Sequence, residues 1–126
     1  SIGIRRINKG LKYEAKGKTK KANKMYSEAI NFLLLANKNQ DIDPNLFFYL
    51  GFTYNKLNNI SNAEIYYQLG LALDPNHKEI NKHLGELYIA SNKINLARER
   101  LDALKNCNCK QYLDLENIIV KKKNTN

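Results

Sequence analysis

Little in this sequence invites chemistry. Two cysteines in 126 residues do not make a disulfide framework. No run of about 18 or more apolar residues occurs, so nothing reads as a transmembrane segment. A Gly-rich phosphate loop is missing, as are a Ser/His/Asp set in an interpretable context and a pair of carboxylates on one helical face. The chain is therefore not expected to be an enzyme, and no cofactor is implied. Acidic residues are scarce in one region only. Residues 1 to 38 hold ten Lys or Arg against Glu14 and Glu28, a net +8, whereas residues 39 to 110 hold eight of each sign. Most of the overall +9 thus belongs to the first third of the chain.

His77, His83, Cys107 and Cys109 are enough in number for a zinc site. Their spacing argues against one. Cys-x-Cys is not the usual Cys-x2-Cys knuckle, and His77 reads as a turn residue while His83 falls about one and a half turns into the next helix. The expectation is no bound metal and two solvent-exposed histidines. A Cys107–Cys109 disulfide would close a very short ring, yet an extended i, i+2 pair lies near the upper end of the allowed Cα separation. The sequence leaves that pair's redox state open.

The chain is organised around Asp43 to His77. Phe47, Leu50, Gly51 and Tyr54 recur at helical spacing, and Ala63, Tyr67 and Pro75 follow in order. Gly51 and Ala63 are small where two helices must come close. Adding 34 gives a second copy: Leu50, Gly51, Tyr54 and Ala63 find Leu84, Gly85, Tyr88 and Ala97. Tyr67 becomes Leu101, and the outer aromatic Phe47 and closing Pro75 are lost to Asn81 and Cys109. Upstream, Gly10, Tyr13, Ala22 and Tyr26 stand 41 residues before Gly51, Tyr54, Ala63 and Tyr67. The extra seven residues lie around Asn37 to Asp43.

In order, helices are expected over Ile4–Lys16, Thr19 to about Asn37, Asn45–Leu57, Ser61–Leu73 with Ser61 as N-cap, Lys78–Ser91 and Ile94–Asn106. Gly17, Asn58-Asn59 and Asn92-Lys93 form the turns. Phe32 to Ala36 is apolar all round, so that segment wants contacts on two sides. After Cys109, the stripe Tyr112, Leu115, Ile119 marks a final helix, about 111–122, that caps the last repeat's exposed apolar face.

These motifs resemble the tetratricopeptide repeat (TPR), whose pattern is aromatic-x2-Leu-Gly-x2-Tyr followed by Ala-x3-aromatic and Pro. The resemblance implies an all-α, right-handed solenoid of three helix hairpins, about 3–36, 44–77 and 78–110, with the capping helix, as a single domain over 1–126. From Phe47 to Leu115 the chain is similar to small bacterial TPR proteins whose last repeat carries Leu84, Gly85, Glu86, Tyr88, Cys109, Tyr112, Asp114 and Leu115. Such proteins are often exported, which implies a periplasmic location, with a cytoplasmic one as the alternative. The chain departs from that group in having Lys105 where a second cysteine typically stands.

In TPR proteins the first helices line a concave groove, so the resemblance implies a scaffold or adaptor that binds a protein or peptide there. Helical projection puts Asn45, Phe48, Tyr49, Phe52, Asn55 and Lys56 on that side, followed by Glu79, Lys82, His83, Glu86 and Ile89; Ile4, Ile7, Asn8, Leu11 and Glu14 come from the first repeat. Phe48, Tyr49 and Phe52 are the favoured partner-binding residues because the repeat pattern does not need them. The Lys, Asn and Arg clamp of chaperone-tail binders is absent at the aligned positions Ile7, Leu11, Tyr49, Glu79 and His83.

Arg5, Arg6, Lys9, Lys12, Lys16, Lys20 and Lys24 form a basic surface spread over several helical faces, without the alternating aromatics of a single-strand platform. It is expected to steer an acidic partner, with nucleic acid or an acidic membrane surface as the alternative ligand and homo-oligomerisation as the remaining one. Protein purified without added metal is expected to carry no stoichiometric zinc; a one-to-one zinc content by elemental analysis would overturn that expectation.

Overall fold

The computed structural model describes residues 1–39 and 42–125. These residues form seven α-helices and no β-strand: α1 (Ile2–Ala15), α2 (Thr19–Lys38), α3 (Pro44–Lys56), α4 (Ile60–Leu73), α5 (Lys78–Ala90), α6 (Ile94–Ala103) and α7 (Lys110–Thr125). The polar connection expected over 37–43 includes Gln40 and Asp41, which lie outside the described residues. Two compact units are formed, Ser1–Leu69 and Gly70–Asn126.

The sequence repeat reappears in the way the first helices stop. Gly17, Asn58 and Asn92 adopt positive φ of 73°, 61° and 61°. Only glycine does this without steric cost, and asparagine is the next best choice. In each case the following N–H reaches back five residues to a tyrosine carbonyl: Lys18 to Tyr13 (2.9 Å), Asn59 to Tyr54 (2.9 Å) and Lys93 to Tyr88 (2.7 Å). The positive-φ residue itself bonds three residues back, to Glu14, Asn55 or Ile89. That pair of bonds satisfies carbonyls the helix end would otherwise leave open. Four residues beyond each reaching N–H, the buried Ala22, Ala63 and Ala97 bond back to Lys18, Asn59 and Lys93.

Helix starts follow their caps. Ser1 accepts from the Ile4 N–H at 3.1 Å, so α1 begins two residues before the expected Ile4. Asp43 accepts from Leu46 at 3.0 Å and Pro44 fills the first turn of α3. Asn59, rather than Ser61, caps α4, its side-chain oxygen accepting from the Asn62 N–H. The end of α6 comes at Ala103, short of the expected Asn106, because Leu104 and Lys105 close tighter three-residue bonds to Leu101 and Asp102.

In the first unit α1 packs on α2 and α2 on α3. A Cβ on Gly10 would lie 2.5 Å from the ring of Tyr26, and one on Gly51 would meet the ring of Tyr67 as closely. Both tyrosines are fully buried. Ile7, Ala29, Ile30, Leu33, Leu46, Phe47 and Leu50 make the core of this unit. Phe47 stacks on Tyr66 and Tyr66 on Tyr54, with centroids 6.2 and 5.5 Å apart. Ile7, projected onto the groove side, is instead buried in that core. Both apolar stripes of α1 contribute buried residues, Ile7 to the core cluster and Gly10 against Tyr26.

In the second unit α5 packs on α6 and α7, and α6 on α7. Leu115 of α7 occupies the space at Gly85, where an added Cβ would come within 2.7 Å of it. Leu101, aligned with Tyr67, is only half-buried. Asn81, which replaces the outer aromatic, is fully buried yet satisfied: its amide donates to the Pro75 and His77 carbonyls at 3.0 Å each, and Arg100 donates to its oxygen at 3.0 Å. A polar side chain thus ties the start of α5 to the preceding turn and to α6. Gly51→Ala is expected to lower stability by about 1–2 kcal/mol, because overpacking against Tyr67 outweighs the roughly 1 kcal/mol helix-propensity gain. A urea denaturation series checks it.

Candidate functional site

The projected α3 residues do share one face, but much of their surface is engaged. Phe48, Tyr49, Phe52 and Lys56 are half-buried and Asn55 is exposed. Phe48 meets Tyr49 at 5.3 Å and Phe52 at 6.0 Å between ring centroids, and stacks on Tyr67 at 6.3 Å. Tyr49 and Phe52 pack against the core of the first unit. One turn further along α3, the Lys56 ammonium lies 5.6 Å from the Phe52 ring centroid. Phe48, Phe52 and Lys56 therefore form an i, i+4 ladder that ends in a charge.

That charge is already answered. Lys56 Nζ donates to Glu14 Oε2 at 2.9 Å, and the buried Tyr26 hydroxyl donates to Glu14 Oε1 at 3.1 Å. The Lys56 hydrogen bond, with that from Tyr26, holds the Glu14 carboxyl below its usual range against an opposing effect of partial burial. Burial first, and the Glu14 carboxylate second, push the Tyr26 phenol well up, so it stays a donor at any working pH. Thr53, which the repeat pattern does not mark, is fully buried and returns its hydroxyl to the Tyr49 carbonyl at 2.7 Å.

Beside Tyr49 opens a cavity of about 610 Å³ at the start of α1, the end of α2 and the start of α3. Ile4, Asn45 and Tyr49, all projected groove residues, line it with Ile2, Phe32 and Leu35. The last three are 45%, 36% and 54% exposed. The Phe32–Ala36 run accordingly has one buried side, at Leu33, and one side open to solvent. Arg6 spans the edge, its guanidinium 5.9 Å from the Phe32 ring centroid and its Nε 4.0 Å from Glu28. Sequence projection missed this cavity because it forms from three helix ends rather than one helical face.

The projected α5 residues belong to the second unit and have partners there. Lys82 lies 3.9 Å from Glu86 and 3.5 Å from Asp114 of α7. Glu79 accepts a 2.6 Å hydrogen bond from Gln111. His83 Nδ1 lies 2.8 Å from the Glu79 carbonyl oxygen, and His77 Nδ1 accepts from the Ile80 N–H at 3.1 Å, capping α5. Both histidines are half-buried rather than solvent-exposed, because each serves the backbone of α5. Among the described residues no three His, Cys, Asp or Glu side chains converge to hold a metal. Cys107 and Cys109 are joined in a disulfide with Cα atoms 5.2 Å apart.

Arg5, Lys9, Lys12, Lys16, Lys20 and Lys24 are exposed, and Arg6 is half-buried. Among the described residues no helix is long and apolar enough to cross a membrane. The lowered Glu14 carboxyl makes a contribution to stability that is present above its ordinary value of 4.5 and lost as pH falls through its lower folded value. Glu14→Gln is expected to cost about 0.2–1 kcal/mol at pH 7, as exposed ion pairs do. The gap to the parent protein should close on acidification through pH 4, as read from denaturant midpoints across pH. No family model matches the chain, and no curated protein matches it.

Proposed function

We propose that the chain is a TPR-type right-handed helical-repeat module without enzymatic activity, which holds a segment of a partner protein against α3 and the adjoining apolar cavity. The repeated glycine or asparagine corners and the Gly–Tyr contacts support the repeat reading. The observation that carries the binding reading is the cavity itself, where Ile2, Phe32 and Leu35 leave apolar surface in water beside half-buried Tyr49. An apolar side chain inserted there would gain about 1.5–3 kcal/mol from burial alone. Clustered exposed apolar residues of this kind mark interaction sites.

The exposed lysines of α1 and α2 complement an acidic flank on that segment. Because Lys56 is paired with Glu14, and Arg6 with Glu28, the excess charge sits outside the apolar surface rather than in it. Its effect is on encounter, raising the association rate for acidic partners and fading with salt.

Panning a random peptide library against the protein is expected to enrich sequences with an apolar anchor beside Asp or Glu. Leu35→Ser with Tyr49→Ala should then weaken binding by at least about 10-fold with unchanged helix content. Reversing Lys9, Lys12 and Lys16 to Glu should slow association several-fold and leave dissociation alone. If the reversal abolishes binding at physiological salt and the cavity pair has no effect, the basic surface is the site and the groove reading is wrong.

A further inference from the structure

The Cys107–Cys109 disulfide spans a single residue. A cross-link stabilises chiefly by restricting the unfolded chain, and the restriction shrinks with the loop it closes. Across one residue it removes very little. Nor does it join elements that would otherwise separate. α7 is already held to α5 by Leu115 against Gly85, by Lys82 with Asp114 and by Gln111 with Glu79. Leu104, just before the pair, is 1% exposed. The bond therefore has no evident structural task.

Two observations point to a chemical one. Both cysteines are half-buried and open on separate clefts. Cys107 lines one of about 410 Å³ with Lys78, Asp102 and Lys105; Cys109 lines another of about 420 Å³ with Lys105 and Lys110. An incoming thiolate can reach either, in surroundings where lysines outnumber the one acid.

The two sulfurs are not equivalent. Cys109 directly precedes Lys110, the first residue of α7, and so stands at the N-terminus of a 16-residue helix. Open N–H groups and the helix dipole there stabilise a thiolate. Cys107 has no such help. It follows the tightened end of α6, its own N–H bonded to the Leu104 carbonyl at 3.0 Å.

We infer that Cys107–Cys109 is a thiol–disulfide exchange site that accepts two electrons from a pair of thiols, with Cys107 the sulfur attacked and Cys109 the leaving group. A thiolate of the substrate attacks Cys107 Sγ and forms a mixed disulfide. The Cys107–Cys109 bond breaks, and its electron pair leaves on Cys109 Sγ as a thiolate at the α7 N-terminus. The second substrate thiolate then attacks the sulfur of its partner in the mixed disulfide. Cys107 departs as a thiolate and takes a proton, the substrate pair is oxidised to a disulfide and the chain is left as a dithiol. The substrate class is paired cysteine thiols on a peptide or protein.

The test uses the full oxidised chain in glutathione buffers of graded ratio at pH 7, two glutathione molecules standing in for the thiol pair. Alkylation followed by mass spectrometry counts free thiols. Half-reduction is expected at a ratio at least about 10-fold more oxidising than that required by a control protein with a long-loop structural disulfide. Circular dichroism of the reduced chain should be unchanged. Single-cysteine variants test the assignment: Cys109 in C107S should alkylate at least about 3-fold faster at neutral pH than Cys107 in C109S. A pair that stays oxidised until the control is reduced, or helix lost on reduction, overturns the exchange site. Equal alkylation rates overturn the leaving-group assignment.

Discussion

The first unit depends on how near the two helices of a hairpin can come. Gly10 under Tyr26 and Gly51 under Tyr67 set that distance, since a single methyl group at either glycine would overlap the ring opposite. The close approach buries a whole tyrosine without a cavity, and at Tyr26 it also aims the hydroxyl at Glu14. From Glu14 the contact passes to Lys56 on α3. Packing at one glycine thus fixes the position of a carboxylate, which in turn fixes the charged end of the aromatic ladder. The second unit meets the same spatial demand at Gly85 with a residue from α7.

Spacing made the hairpins legible. Glycine, alanine and tyrosine at intervals of 41 and 34 mark positions where only small or only large side chains fit, and the structure uses them that way. Corners were equally readable, because glycine and asparagine are the residues that tolerate positive φ. What spacing could not convey was which side of a helix its neighbours would cover. Ile7 falls on a plausible groove stripe, yet α2 and α3 take that stripe into the core. Asn81 reads as the loss of an aromatic, whereas it satisfies two carbonyls and an arginine. The cap, by contrast, was readable: Leu115, on the stripe expected to cover the last repeat, lies over Gly85.

The candidate site shows the same division. Aromatic excess on α3 was visible, and Phe48, Tyr49 and Phe52 are half-buried, so part of that excess is taken up within the unit itself. The cavity was not visible, since Ile2, Phe32 and Leu35 lie on different helices and meet only where three helix ends converge. Charge adds a further separation. Lys56 and Arg6, the cations nearest the aromatic surface, each have an acidic neighbour, whereas the lysines along α1 and α2 face water. Apolar surface and excess positive charge therefore lie on different parts of the same unit.

The left-handed corners also bear on how the chain folds. Each is completed by hydrogen bonds that reach back no more than five residues, and the glycine–tyrosine contacts it directs, Gly10 with Tyr26 and Gly51 with Tyr67, lie sixteen residues apart. Little loop entropy is lost before such contacts form. A chain built this way has low contact order, so folding on the microsecond-to-millisecond scale follows. The asparagine corners would then act early, as gates on the folding rate, and a β-branched residue at Asn58 or Asn92 would slow folding more than it speeds unfolding.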